Sequence, residues 1–270
     1  MQPTSSILVA TDLSARCDRA VDRAAALAVD WEGRLRVIHV VDDRDTRDQS
    51  KLEKAVRATL RDPTADIDIL LPHGSAPETI ARCAEETASA IIVTGIARYN
   101  HFGDYFLGTA VEYVLRHAAA PVLVVKQRPR HGYRTMLVPT DFSDHSHAAL
   151  LTAANLFPDA IIHLVHAYQV PFEGRLDTPP NRTEIERAVQ ADLDGYLGNS
   201  AFLPELRARV HGRLGYGERH IVIGEAIQDI DPDIVVLASR RRSALGHALL
   251  GSSAHTLLSS IATDTLVIKV

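Results

Sequence analysis

Ile91-Ile92-Val93-Thr94-Gly95, then a polar loop through Tyr99 and His101, then Leu107-Gly108-Thr109, then Pro121-Val122-Leu123-Val124-Val125-Lys126: this stretch decides the fold. Ile91 to Thr94 is a short apolar run rich in β-branched residues, the mark of a strand buried on both faces. Gly95 ends it. From Leu107 the apolar residues Leu107, Ala110, Val111, Val114 and Leu115 recur at helical spacing. Pro121 opens a second buried strand. Strand, glycine-punctuated loop, helix and parallel strand make one βαβ unit, whose loop lies at the carboxyl end of the sheet, where open α/β folds place ligands. Gly108 and Thr109 put backbone N–H groups and a hydroxyl at a helix start, a natural anion site.

The stretch returns near the end of the chain. Ile234-Val-Val-Leu237 repeats the strand, Leu250-Gly251-Ser252-Ser253 opens the helix, and Thr265-Leu-Val-Ile-Lys269 closes the unit. Leu250, Ala254, Leu257, Leu258 and Ile261 share one face of that helix. Gly108 and Lys126 stand as far apart as Gly251 and Lys269, since 126 − 108 equals 269 − 251. The start is copied too: Ile7-Leu-Val-Ala-Thr-Asp12-Leu-Ser14 matches Met136-Leu-Val-Pro-Thr-Asp141-Phe-Ser143. An internal repeat therefore governs how the rest is read.

A strand ending in Thr-Asp-x-Ser, a loop of the type Gly-x2-Gly-x9-Gly-(Ser/Thr) and a closing Pro-Val-Leu-Val-Val strand resemble the universal stress protein family. The resemblance occurs twice in tandem and covers nearly the whole chain. It implies an α/β fold: two tandem five-stranded, mostly parallel sheets with helices on both faces, Rossmann-like and similar to the adenine nucleotide alpha hydrolases. The domains expected are 1–126 and 135–270, joined by a linker at 127–134. It also implies that closing edge strands meet, Val122–Val125 against Leu266–Ile268, to form an intramolecular pseudo-dimer; a homodimer is a further expectation.

Length and composition agree. The 270 residues suit two domains, and a hydrophobic content of 46% suffices for their cores. A formal net charge of −5 gives no electrostatic reason to expect a nucleic-acid partner. No apolar run is long enough to span a membrane. Met1 to Ser6 lacks a basic patch followed by an apolar region, so no signal peptide is expected. Cys17 and Cys83 are the only cysteines, and neither has a CxxC partner; this suits a reducing cytoplasm.

The remaining chain alternates strand and helix. Strands are expected at Ile7–Ala10, Leu35–Val41 and Ile67–Leu71, with helices carrying Ala20, Ala24, Ala25 and Ala28, then Leu52–Leu60, then Pro77 to about Thr87. In the second half strands are expected at Met136–Val138, Ile161–His166 and Arg207–His211, with Gly215 and Gly217 in the following turn. Asp12 to Asp141 is an offset of 129 and Gly108 to Gly251 one of 143; the additional 143 − 129 = 14 residues enter around the Pro179-Pro180 loop and its helix. The basic connector Lys126 to Arg134 reads as a solvated linker, or else as a phosphate-binding arm.

Carried over by position, the resemblance implies a nucleotide site made by Asp12 on the nucleoside, the backbone of Val40 on adenine, and Gly95, Gly108 and Thr109 on the phosphates. The second-half candidates are Asp141, Ala167, Gly251, Ser252 and Ser253. The implied ligand is ATP or ADP, with Mg²⁺ accompanying the nucleotide. The loops depart from the family pattern: Arg98 and Arg241 occupy the second glycine position, and Ala238 replaces the first glycine of the second half. An arginine there either blocks the phosphate cradle or grips phosphate with its guanidinium. The first half keeps Gly95 and is favoured. The triplet Arg240-Arg241-Arg242 reads as a solvated run, or as a further phosphate grip.

No metal site is expected. His39, His73, His163, His166 and His211 show only one weak pair, His163-x-x-His166, and are read as structural. The cysteines are read as packing thiols. No nucleophile elbow, paired carboxylates or Walker loop appears, so no catalytic residue is assigned. Three functions compete: a cytoplasmic stress-response regulator that binds adenine nucleotide; a member acting through dimerisation and protein contacts without nucleotide; and a slow ATPase, since hydroxyls and Mg²⁺ suffice for weak hydrolysis.

Overall fold

The computed structural model describes residues 6–42, 45–96, 98–99, 105–106, 108–169, 179–199, 202–241, 248–249 and 252–270, with backbone alone at 98–99, 105–106, 179–181, 240–241, 248–249 and 252–253. The first half runs β1 (Ser6–Ala10), α1 (Asp18–Asp30), β2 (Arg34–Ile38), α2 (Gln49–Ala58), β3 (Asp68–Leu70), α3 (Ala76–Glu86), β4 (Ile91–Thr94), a small hairpin β5 (Arg98–Tyr99) and β6 (Tyr105–Phe106), α4 (Thr109–His117) and β7 (Val122–Val124). The second runs β8 (Thr135–Pro139), α5 (Asp144–Leu156), β9 (Ile161–Tyr168), α6 (Pro179–Leu197), α7 (Pro204–Arg207), β10 (Val210–Tyr216), α8 (Arg219–Ile230), β11 (Ile234–Arg241), β12 (Ala248–Leu249), α9 (Ser252–Ser260) and β13 (Asp264–Lys269).

The strand order is β10-β9-β8-β11-β13-β7-β4-β1-β2-β3. Along this order the pairs within each half are parallel, whereas β5–β6 and β11–β12 pair antiparallel off it. The halves join through β7 and β13, which run antiparallel with Leu123 opposite Leu266. The expected meeting of edge strands is thus observed, and it removes two edges that would otherwise be open. Ile7 and Val9 of β1 face one apolar layer and Leu8 the other, as strand alternation requires. Each layer runs unbroken through both halves.

The seam is also held by side chains. Lys126 Nζ donates to the carbonyls of Leu258 and Ile261, at 2.7 and 2.8 Å, at the C-terminal end of α9. Its repeat partner Lys269 donates to the carbonyl of Arg116 at 2.8 Å, in the last turn of α4. Each half therefore caps a helix of the other with a cation placed where the helix dipole favours it. Asp264, 1% exposed, accepts from the amides of Lys126 and Gln127 and from the hydroxyl of Tyr133 at 2.6 Å.

The connector is tied down at several points rather than being solvated throughout. Lys126 and Tyr133 are buried, Arg19 and Arg23 of α1 donate to the carbonyls of Lys126 and His131, and Asp233 accepts from the amides of Arg134 and Thr135. Gln127, Arg128, Arg130, His131 and Arg134 are exposed, while Lys126 and Tyr133 are buried and supply hydrogen bonds of the seam.

Three further expectations are corrected. The third strand of the second half is Val210–Tyr216, not Arg207–His211; Pro204 instead starts the single-turn α7. Gly215 lies inside the strand rather than in the turn after it. A Cβ there would stand 2.2 Å from Val222 Cγ1, so its glycine answers to packing by α8. Pro179-Pro180 does not form a loop but begins α6. The hairpin β5–β6 went unread, being only two residues a strand.

Candidate nucleotide site

The order β3-β2-β1-β4-β7 reverses direction between β1 and β4, and β8 and β11 repeat this in the second half. Open α/β sheets place ligands beyond the carboxyl ends of strands at such a switch point. Asp12 and Asp141 are separated from β1 and β8 by one residue each, Thr11 and Thr140, and Gly95 directly follows β4.

The two Thr-Asp-x-Ser turns have the same geometry. Thr11 Oγ1 accepts from the Leu13 amide at 3.0 Å, and Thr140 Oγ1 from the Phe142 amide at 3.0 Å. Leu13 and Phe142 take left-handed φ values of 64 and 59, costly for non-glycine residues. Asp12 Oδ1 accepts from the amide of Ser14 at 2.9 Å and from its hydroxyl; Asp141 Oδ1 does the same with Ser143, the amide at 3.2 Å. These bonds hold the strained residue in place.

Sequence reading missed what stands behind the turn. His39 Nδ1 donates to the carbonyl of Thr11 at 3.0 Å, and His166 Nδ1 to that of Thr140 at 2.9 Å. A carbonyl only accepts, so Nδ1 carries the proton in both. Each histidine, reaching across from the second strand of its half, fixes the backbone just before the aspartate. The available signal was the recurrence of a histidine at the end of both strands.

The halves differ around this frame. Cys17 Sγ donates to Asp12 Oδ1 at 3.1 Å and accepts from the Asp12 amide at 3.5 Å. Ser146, its counterpart, instead bonds Thr140 Oγ1 at 3.0 Å, and its amide donates to Ser143 Oγ, which caps α5. Phe142 stacks on His166, with centroids 4.2 Å apart. Partial burial alone would raise the Asp12 carboxyl, but the hydrogen bonds of Ser14 and Cys17 and the charge of Arg16 outweigh it and hold it below its usual range. Burial pushes the Cys17 thiol up to about 11, so it remains a donor. Asp12 is thus an ionised carboxylate whose Oδ1 is engaged by its own turn, leaving Oδ2, 3.7 Å from Arg16 Nη2, outside those turn bonds.

Gly95 packs against this turn: a Cβ would stand 3.2 Å from the Arg16 carbonyl. Val40 lies between His39 and Val41, whose amides donate to Leu70 and Pro72 on the β3 side. By strand alternation the amide of Val40 faces the opposite edge, beside the Asp12 turn. Gly108 precedes α4 with a φ of 86, a conformation that favours glycine, and among the described residues no side chain caps the helix start. Thr109 is exposed at the first position of α4. The backbone of Arg98 stands opposite Phe106 in the β5–β6 hairpin, two residues before Gly108. Ala167 belongs to β9 beside Gly215. Gly251 and the side chains of Arg98, Arg241, Ser252 and Ser253 lie outside the described residues. Among the described residues no cluster of three or more His, Cys, Asp or Glu could hold a metal ion, and no helix is long and apolar enough to cross a membrane.

Comparison with known proteins agrees with this architecture. Universal stress protein G of Salmonella typhimurium is 27% identical over 149 residues, covering 51% of this chain and 99% of that protein. A functionally unknown protein from Pseudomonas aeruginosa PAO1 shares the fold with a TM-score of 0.73 at 21% identity, over 99% of this chain and 93% of that one. A universal stress protein from Archaeoglobus fulgidus DSM 4304 shares it at 0.67 and 18%, over 100% and 99%. The model of the universal stress protein family matches twice, at residues 4–126 and 132–269, and the chain belongs to that family.

Proposed function

We propose that this universal stress protein is a cytoplasmic regulator that binds ATP or ADP, with Mg²⁺, in its first half and responds to it without fast turnover. The two units, 1–126 and 135–270, act as one body through the 127–134 connector. The observation that carries the reading is the Asp12 turn at the switch point beside Gly95. Asp12 accepts a ribose hydroxyl, the Val40 backbone holds adenine, and Gly108 and Thr109 offer uncapped N–H groups to phosphate. Ala238 in place of the first glycine makes the second site the weaker one.

Calorimetric titration of the full chain with ATP and Mg²⁺ tests this. One binding event is expected, abolished by Asp12→Asn and kept by Asp141→Asn. Absence of heat at millimolar nucleotide would favour a member that acts through protein contacts alone.

A further inference from the structure

Two landmarks align the end of the second and third strands between the halves. His39 and His166 each bond the threonine carbonyl of their turn, and Gly74 and Gly217 each follow the third strand with φ of 128 and 136. Val41 thereby corresponds to Tyr168, and His73 to Tyr216. Tyr168 and Tyr216 are register partners whose rings meet edge-on with centroids 5.5 Å apart. The Arg182 guanidinium of α6 lies 4.1 Å over the Tyr216 ring. Val41 and His73 are bridged in the same parallel manner. Their smaller side chains line a cavity of about 250 Å³, with Leu52, Ile69 and Leu71 as its apolar walls and Arg47 and Gln49 at its rim.

We infer that this cavity binds a small phenolic ring, the chemistry with which the chain fills the same place in its other half. Leu52 and Val41 are almost fully buried and form an apolar floor. Arg47 precedes α2 much as Arg182 sits at the start of α6, and two-point contact with Asp45 fixes its guanidinium. That pairing neutralises Arg47, so a neutral phenol suits the rim better than a carboxylate. A planar ring can lie under the guanidinium face, as Tyr216 does under Arg182. Gln49 and His73 supply hydrogen-bonding groups for the hydroxyl. The cavity lies between β2, β3 and α2, whereas the nucleotide crevice opens between β1 and β4, so the inference stands independently of nucleotide binding.

The test is titration of the full chain, ¹³C-labelled at its Ile, Leu and Val methyls, with p-cresol. Saturable shifts are expected at Val41, Leu52, Ile69 and Leu71, and 4-methylcyclohexanol, similar in size but not planar, should bind roughly tenfold more weakly. Val41→Tyr with His73→Tyr, which copies the second half, should abolish the shifts. Should that variant fail to fold, Arg47→Ala with Gln49→Ala, both at exposed positions, should weaken binding at least severalfold. The inference is overturned by the absence of saturable shifts, by equal response to 4-methylcyclohexanol, or by displacement of p-cresol with ATP, which would assign the cavity to the nucleotide site. A chain that binds p-cresol but not ATP would refute the nucleotide reading alone.

Discussion

The backbone amide of Lys126 donates to Asp264 Oδ1 at 2.7 Å, across the seam that fuses the two sheets. It brings a buried cation and a buried carboxylate together at the junction of the halves. Burial presses the Lys126 ammonium down to about 7, and the Asp264 charge opposes this only in part. Tyr133, hydrogen-bonded to Asp264, is raised well above its ordinary value, first by burial and then by that same charge.

This arrangement predicts a pH dependence. Below pH 7 Lys126 is charged both folded and unfolded, and its burial penalty is fully present. Between 7 and its ordinary 10.5 the unfolded chain binds more protons, so stability rises with pH. Cys17 acts oppositely, being raised from 9.0, and so withdraws stability only above pH 9. Unfolding followed from pH 7 to 9 should therefore show a contribution of up to about 1.4 kcal/mol per pH unit that Lys126→Met removes. An identical slope in the variant would refute it.

The glycines of the second half separate packing from backbone freedom. Gly215→Ala drives a methyl into Val222 and should cost about 1–3 kcal/mol. Gly224, inside α8 with nothing within 4 Å of an added Cβ, should gain up to about 1 kcal/mol as alanine. Denaturant midpoints of the two variants should move in opposite directions.

The threonines behind the aspartates should both matter for stability, Thr140 the more because its hydroxyl also bonds Ser146, and should matter unequally for ligand. Thr11→Val and Thr140→Val each remove the acceptor that holds a left-handed residue, at about 1–2 kcal/mol. Only Thr11→Val should weaken nucleotide binding measured by calorimetry. Equal loss in both would make the sites equivalent.

Arg98 admits two outcomes of opposite sign. Its backbone pairs with Phe106, which brings it near Gly108. If the guanidinium grips phosphate, Arg98→Ala should lose on the order of 1.5–3 kcal/mol, roughly ten- to hundredfold in affinity. If it blocks the cradle, Arg98→Gly should tighten binding, and this is the outcome expected, because the family places glycine where backbone must approach ligand. Unchanged affinity in both variants would remove Arg98 from the site.

Much of this molecule was legible in its sequence because the informative signals are local and occur twice. Apolar periodicity located the strands and helices, the repeat of Thr-Asp-x-Ser and of Gly108 with Gly251 marked a candidate site, and the family resemblance implied that Val122–Val125 would meet Leu266–Ile268. The misreadings arose where local signals are ambiguous. Gly215 and Pro179-Pro180 look like turn residues, yet contacts from α8 and the tolerance of proline in a first helical turn decide otherwise.

What tertiary structure alone decided are pairings between distant residues. Lys126 meets an aspartate 138 positions away, and His39 a carbonyl 28 positions away. The stacked tyrosines of one half and the cavity of the other become comparable only once Val41 and Tyr168 are seen at the same point of the fold. A residue's own sequence neighbours carry no record of such partners; burial, which makes an unpaired polar group costly and an unfilled space unfavourable, is what selects them.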